Sequence, residues 1–174
     1  MKEEIALFAE RRSCRRFLDN AVPRELLDQV LEAGLYAPSG ENRQSTKCIV
    51  IQNEDIIAHL SKIDGIFDGN MDGDPFYGAK TVILVVSDRT NKTYIEDGSL
   101  VMGNMLNAAH VLGLGACWIH WAKEVFETPY GQKIKKKWNI PEEYVGIAFC
   151  ILGYPEKENH VKTQRKEGRI QFVL

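Results

Sequence analysis

A chain of 174 residues with a formal net charge of −2 is long enough to bury one hydrophobic core. Its charge is too balanced for a general binder of nucleic acid or of a membrane surface, either of which needs a basic excess. Hydrophobic residues make up 44% and charged residues 26%, as in an ordinary globular domain, and no apolar run approaches the roughly 20 residues that span a bilayer. One domain, 1–174, is expected. The opening Met1-Lys2-Glu3-Glu4-Ile5 puts acids where a secretion signal has a basic region, so the expected location is cytoplasmic.

In chain order, residues 2–11 set Ile5, Leu7, Phe8 and Ala9 on one broad side of a helix. A second helix begins near Pro23, with Leu26, Leu27, Val30, Leu31 and Ala33 at helical spacing, and fades between Gly34 and Pro38. The polar loop 38–44 leads into a strand at 48–51. A short helix is expected at 54–62. The glycine- and aspartate-rich stretch 64–74 follows, and its composition suits a mobile segment.

Residues 81–86 are apolar on both faces and predict a central strand in a covered sheet. A long helix from about 94 to 112 ends at Gly113, which suits the position just past a helix. A third strand at 114–121, a helix at 123–137 and a fourth strand at 145–152 complete the set. The polar tail 155–174 closes on Ile170-Gln171-Phe172-Val173, a strand pattern without an evident partner in its own chain. Such an end commonly pairs with another subunit's sheet edge, so a homodimer is expected. Helices around a mostly apolar sheet make the class α/β or α+β.

The four cysteines (Cys14, Cys48, Cys117, Cys150) show no CxxC pair and no zinc spacing, and no metal site is expected. Cys48, Cys117 and Cys150 sit in apolar runs as small core residues. Cys14 lies among arginines, which are expected to lower its thiol pKa.

Three segments carry chemistry. The first, Arg11-Arg12-Ser13-Cys14-Arg15-Arg16-Phe17, sets four arginines and a serine just after the first helix. Arginine forks hold two phosphate oxygens in one plane, so the cluster suits an anion, although a solvated basic helix end has the same composition. The second, the loop 38–44, offers a hydroxyl, amides and exposed backbone donors around Gly40, and also reads as an ordinary turn. The third, Trp118-Ile119-His120-Trp121, puts flat side chains and an imidazole at a strand end, where open sheets bind ligands. Both tryptophans equally suit a core or an interface. Together the three segments fit a flat heteroaromatic bearing a phosphate. No GxxxxGK[ST] loop occurs, and Gly113-Leu114-Gly115 follows a helix where a dinucleotide fingerprint must follow a strand, so a kinase, an ATPase or an independent Rossmann domain is disfavoured.

With Ala37-Pro38-Ser39-Gly40-Glu41-Asn42-Arg43-Gln44, the helix end 107–115 and the strand Gly146 to Gly153 followed by Tyr154-Pro155, the arginine segment resembles the FMN-dependent nitroreductases in order and spacing. The resemblance implies an α+β, three-layer fold with a central mixed sheet flanked by helices, in an intertwined homodimer whose tail 155–174 contacts the partner subunit. It implies FMN as cofactor and NAD(P)H as co-substrate. Reducing equivalents would pass through flavin N5 to a nitroaromatic, quinone or similar electron-poor acceptor, in two successive half-reactions. The alternatives are other flavin chemistry on the same fold, namely reductive dehalogenation or flavin breakdown, and, from a different class, a flavin- or nucleotide-binding sensor without turnover.

Carried over residue by residue, Arg11 and Ser13, with Arg12 beside them, would hold the phosphate and ribityl oxygens. Arg15 would lie near the N1–C2 edge. Pro38, Ser39, Gly40 and Asn42 would come from the partner subunit's loop, and Ile119 and His120 would run beside the isoalloxazine ring. Lys162 and Arg165 in the tail would add a phosphate anchor. No catalytic side chain is implied, since the flavin carries the chemistry. Trp118, His120 and Trp121 are bulkier than the family's pattern there, and Phe76 and Tyr77 are candidates for a lid.

Overall fold

The computed structural model describes residues 2–157, 161 and 163–173. Its centre is a four-stranded sheet of order β1-β2-β4-β3, with β1 at Thr46–Ile51, β2 at Thr81–Asp88, β3 at Gly115–Ile119 and β4 at Tyr144–Gly153. All three pairings are antiparallel, so the mixed sheet expected from the resemblance is replaced by an antiparallel one. The single parallel contact among the described residues is an isolated bridge from Ser13 to Ala116 on the outer edge of β3. Hairpin pairing needs no crossover between β1 and β2 or between β4 and β3, and the intervening helices pack onto the faces instead.

Thr81 to Ser87 of β2 are all buried, as expected for a strand covered on both sides. Its side chains alternate between two cores. Val82, Leu84 and Val86 meet Ile57, Leu60, Phe76, Val125, Phe126 and Ile134 on one face. Ile83 and Val85 meet Leu27, Val30, Val101, Met102 and Met105 on the other. The first face is covered by α3 (Glu54–Asp68), α5 (Ala122–Glu127) and α6 (Pro129–Lys137), the second by α2 (Arg24–Leu35) and α4 (Tyr94–Val111). This helix–sheet–helix sandwich is the expected three-layer α+β architecture. The opening helix α1 (Glu3–Glu10) buries none of its residues, and Ile5 and Phe8 stay exposed.

Helix α2 ends at Leu35, within the expected 34–38, and a Cβ on Gly34 would lie 2.6 Å from Met105 Cγ, so the glycine lets α2 and α4 approach closely. Other boundaries differ from the sequence reading for identifiable reasons. The predicted helix 123–137 is two helices, because Thr128 takes an extended backbone and caps α6 by accepting from Gly131 N–H, with Pro129 at the first turn.

The stretch 64–74 is largely ordered. Helix α3 runs on to Asp68 and ends on Gly69 at φ 74°. Asp74 then fixes the following turn, accepting from the Ser61 hydroxyl, from Phe76 N–H at 3.0 Å and from Gly78 N–H at 2.6 Å. Gly113, at φ 73°, ends α4 as expected. The tail residues Ile170, Phe172 and Val173 are 78–88% exposed and join no strand of their own chain.

Candidate functional site

Leaving α1, the chain crosses the open edge of β3. Cys14 N–H donates to Ala116 O at 3.0 Å, Leu18 N–H donates to Tyr154 O at 2.8 Å, and Phe17 bridges to Pro155. The crossing is tight, since a Cβ on Gly115 would lie 2.6 Å from Cys14 Sγ. Burial raises the Cys14 thiol pKa, and Sγ donates to Arg16 O at 3.2 Å. The expected lowering by the arginines is therefore overturned: loss of hydration dominates, the backbone contact at Arg16 only partly offsets it, and no guanidinium acts on the thiol.

The arginines divide into two kinds. Arg12 turns back on the backbone, its Nη1 donating to the carbonyls of Ala9, Glu10 and Arg11 and its Nε to Val161 O at 2.8 Å. It satisfies the last carbonyls of α1 and ties down the tail, so its fork is already engaged. Arg11 and Arg15 have no ion pair among the described residues. Arg15 lies 5.9 Å from the centroid of the Tyr77 ring, a cation–π contact that holds the exposed guanidinium beside the edge strand. Ser13 sits between them on the bridge to Ala116. Two guanidiniums with no ion pair among the described residues, and a hydroxyl between them, form a donor set suited to a phosphate and its sugar.

Tyr77 is the aromatic of the expected lid that reaches this edge. Phe76 is not a lid residue: it is 1% exposed, with its ring 5.1 Å from that of Phe149 in the core. Ile119 ends β3 opposite Phe149 and is 8% exposed, while His120 is exposed and stands edge-on to Trp121 at 5.2 Å. The two tryptophans form no common floor, because alternation sends Trp118 toward the α2–α4 core and Trp121 toward the opposite one. Trp121 donates from Nε1 to Asp68 Oδ1 at 3.3 Å and stacks on Phe67.

The loop 38–44 is latched to the start of α4. Gly40 N–H donates to Asp97 Oδ1 at 3.0 Å, and Asp97 Oδ2 accepts from Asn91 Nδ2 at 2.7 Å and Thr93 Oγ1 at 3.2 Å. Ser39 Oγ is used internally, accepting from Gln44 N–H at 3.0 Å. Glu41, Asn42 and Gln44 all take positive φ, between 50° and 55°, which side chains with a Cβ adopt at a cost. Pro38 and Asn42 are exposed. No hydrogen bond, ion pair or ring contact joins this loop to Arg11, Ser13 or Arg15 in the described residues. Within one chain, then, the two halves of the expected site stand apart.

Arg165 is exposed in the tail, and Lys162 lies outside the described residues. Sequence reading missed the latch residues Asn91, Thr93 and Asp97, and it also missed Asp64. The polar run before α4 was the available signal for the latch. No helix among the described residues is long and apolar enough to cross a membrane, and no three His, Cys, Asp or Glu side chains gather there as a metal-ligand set.

The chain matches the profile of the nitroreductase family over residues 8–66 and 66–154. A protein of Methanothermobacter thermautotrophicus, provisionally named NADH dehydrogenase/NAD(P)H nitroreductase, is 30% identical over 168 residues, 93% of this chain and 82% of the relative. The Bacillus subtilis FMN reductase [NAD(P)H] is 27% identical over 187 residues, 94% of this chain and 70% of the relative. A nitroreductase with bound FMN from Bacteroides fragilis superimposes at a TM-score of 0.89 with 25% identity, covering 100% of both chains.

Proposed function

The chain belongs to the nitroreductase family, and from that premise we propose that it is an FMN-dependent oxidoreductase using NAD(P)H. The observation that carries the proposal is the pair of guanidiniums, Arg11 and Arg15, that make no ion pair among the described residues and flank Ser13 on the edge of β3. When bound, FMN supplies reversible two-electron chemistry, accepting a hydride from NAD(P)H and delivering reducing equivalents to a nitroaromatic, quinone or similar acceptor in a second half-reaction.

The chain's own residues bind and orient. Arg11 and Ser13 would hold the phosphate and ribityl oxygens. Arg15, steadied by Tyr77, would place positive charge where the reduced ring gains negative charge. Ile119 and His120 would lie along the ring. Arg12 is the weakest of the candidates, because its fork already serves the backbone. Arg165, and Lys162 with it, would add cations from the tail.

Pro38, Ser39, Gly40 and Asn42 would reach the flavin held by the other subunit of a homodimer, which accounts for the separation of the two half-sites within one chain. Support for the dimer comes from exposed Ile5, Phe8, Leu35, Tyr36 and Leu100, and from a tail whose Ile170, Phe172 and Val173 remain 78–88% exposed. Light scattering of the purified protein tests this: a stable monomer at micromolar concentration refutes the shared site. The cofactor and its reduction are tested together by an absorbance spectrum taken before and after anaerobic addition of NADH. Flavin bands that bleach support the proposal. A protein that stays colourless after addition of FMN refutes it.

A further inference from the structure

Asp64 is the described side chain whose burial is least explained. It is 1% exposed, on the buried side of α3, and neither carboxyl oxygen has a hydrogen-bond partner among the described residues. Buried polar atoms are almost always paired, so an orphan carboxyl needs a reason. Of the groups that act on it, two carry negative charge and one is a backbone dipole. Asp68 lies one turn further along α3, and Glu124 comes from α5. The turn after β3 presents the Trp121 backbone N–H, which favours the ionised form without closing a hydrogen bond to it. No lysine, arginine or histidine is among the groups acting on it. Burial first, then Asp68 and Glu124, raise the Asp64 pKa from 3.8 to about 7.

Position gives this acid its meaning. It sits behind the turn that follows Ile119, and its neighbour Asp68 holds the other side of that turn through Trp121 Nε1 at 3.3 Å. Resting on the reading of this edge as a flavin site, we propose that Asp64 is a positioning residue for the flavin. In its neutral form it lets α3 and α5 close against the turn Ile119–Trp121, and on losing its proton it repels Asp68 and Glu124 and unseats the turn. The protein would then hold its flavin more tightly in mildly acidic than in mildly alkaline solution.

The test is an FMN titration of the apoprotein between about pH 6 and pH 8 for the wild type, Asp64→Asn and Glu124→Gln, alongside a pH titration of intrinsic tryptophan fluorescence without flavin. If only the neutral form is competent, wild-type affinity falls about tenfold across this range, in proportion to the competent fraction. Asp64→Asn, neutral at every pH, should keep the acidic-side affinity throughout and lose the fluorescence titration. Glu124→Gln removes one repelling charge, so its midpoint should move to lower pH, which keeps the test open should Asp64→Asn fold poorly. Wild-type affinity that stays flat overturns the inference and leaves the flavin reading standing. Failure to bind FMN at any pH overturns the flavin reading, and this inference with it.

Discussion

Replacing Asp97 with alanine should unlatch the loop 38–44 and cost a sizeable fraction of the stability. Asp97 is 3% exposed and accepts three hydrogen bonds, from Gly40 N–H at 3.0 Å, Asn91 Nδ2 at 2.7 Å and Thr93 Oγ1 at 3.2 Å. A hydrogen bond to a charged group contributes about 1.5–3 kcal/mol, and a stranded buried donor costs about 1–3 kcal/mol. The three losses do not simply add. Thr93 Oγ1 also lies 3.4 Å from Asn91 Oδ1, and Asn91 Nδ2 keeps Ser45 Oγ at 3.2 Å, so two donors retain a second partner. The Gly40 N–H has none among the described residues, and it carries the three strained residues that follow.

A net loss of about 3 kcal/mol is therefore expected, together with weaker FMN binding. For a domain of this size it corresponds to a fall of roughly 6–12 °C in Tm. Circular dichroism melts and urea titration give the stability, and fluorescence quenching of FMN gives the affinity. Asp97→Asn, which keeps an acceptor for Gly40 but turns a donor toward Asn91, should fall between the two. An Asp97→Ala protein within about 0.5 kcal/mol of wild type and with unchanged FMN affinity refutes the latch.

Arg11 and Arg12 should separate cleanly. Arg11→Ala is expected to weaken FMN binding tenfold or more while leaving the melt unchanged. Arg12→Ala, which strips the α1 carbonyls and Val161 O of their donor, should lower stability by about 1–2 kcal/mol with a smaller effect on affinity. Arg15→Ala should lower the reduction potential of bound flavin, read by equilibration with a redox dye; an unchanged potential in the loaded variant rejects its electrostatic role. Phe76→Ala should destabilise by about 3–5 kcal/mol as a core truncation, whereas a lid residue would leave the melt unmoved. Stability should also fall as pH rises from about 4 to 7, because folded Asp64 binds its proton more tightly than the unfolded chain does. The slope should vanish in Asp64→Asn, and its total is bounded by three pKa units, about 4 kcal/mol.

The elements legible from sequence were those whose apolar spacing is set by burial, namely the two-sided strand around Leu84 and the helices that carry Val30 and Met105. The misses arose where a single polar contact decides the backbone. Thr128 caps and so splits what composition draws as one helix, and Asp74 pins a stretch whose glycines suggest motion. The family's site segments were recognisable as a set. Their division of labour was not, because arginines within one short segment differ only in what the folded chain puts within reach: backbone carbonyls for Arg12, the Tyr77 ring for Arg15, and no ion pair for Arg11 among the described residues. Asp64 left no trace, since an aspartate among glycines looks like a turn residue until the helix α3 turns it inward.

The alternating faces of β2 divide the buried apolar residues into two compartments, one on each side of the strand. Substitutions in the Val82–Leu84–Val86 compartment and in the Ile83–Val85 compartment should then combine almost independently, as distant sites do. The side facing α2 and α4 can be remodelled to suit a new subunit contact without disturbing the side that supports the strand-end turn, and the reverse also holds. Trp118 and Trp121, three residues apart, pack against opposite compartments. A library aimed at the strand-end turn would start from the Trp121 compartment and leave the α2–α4 side untouched.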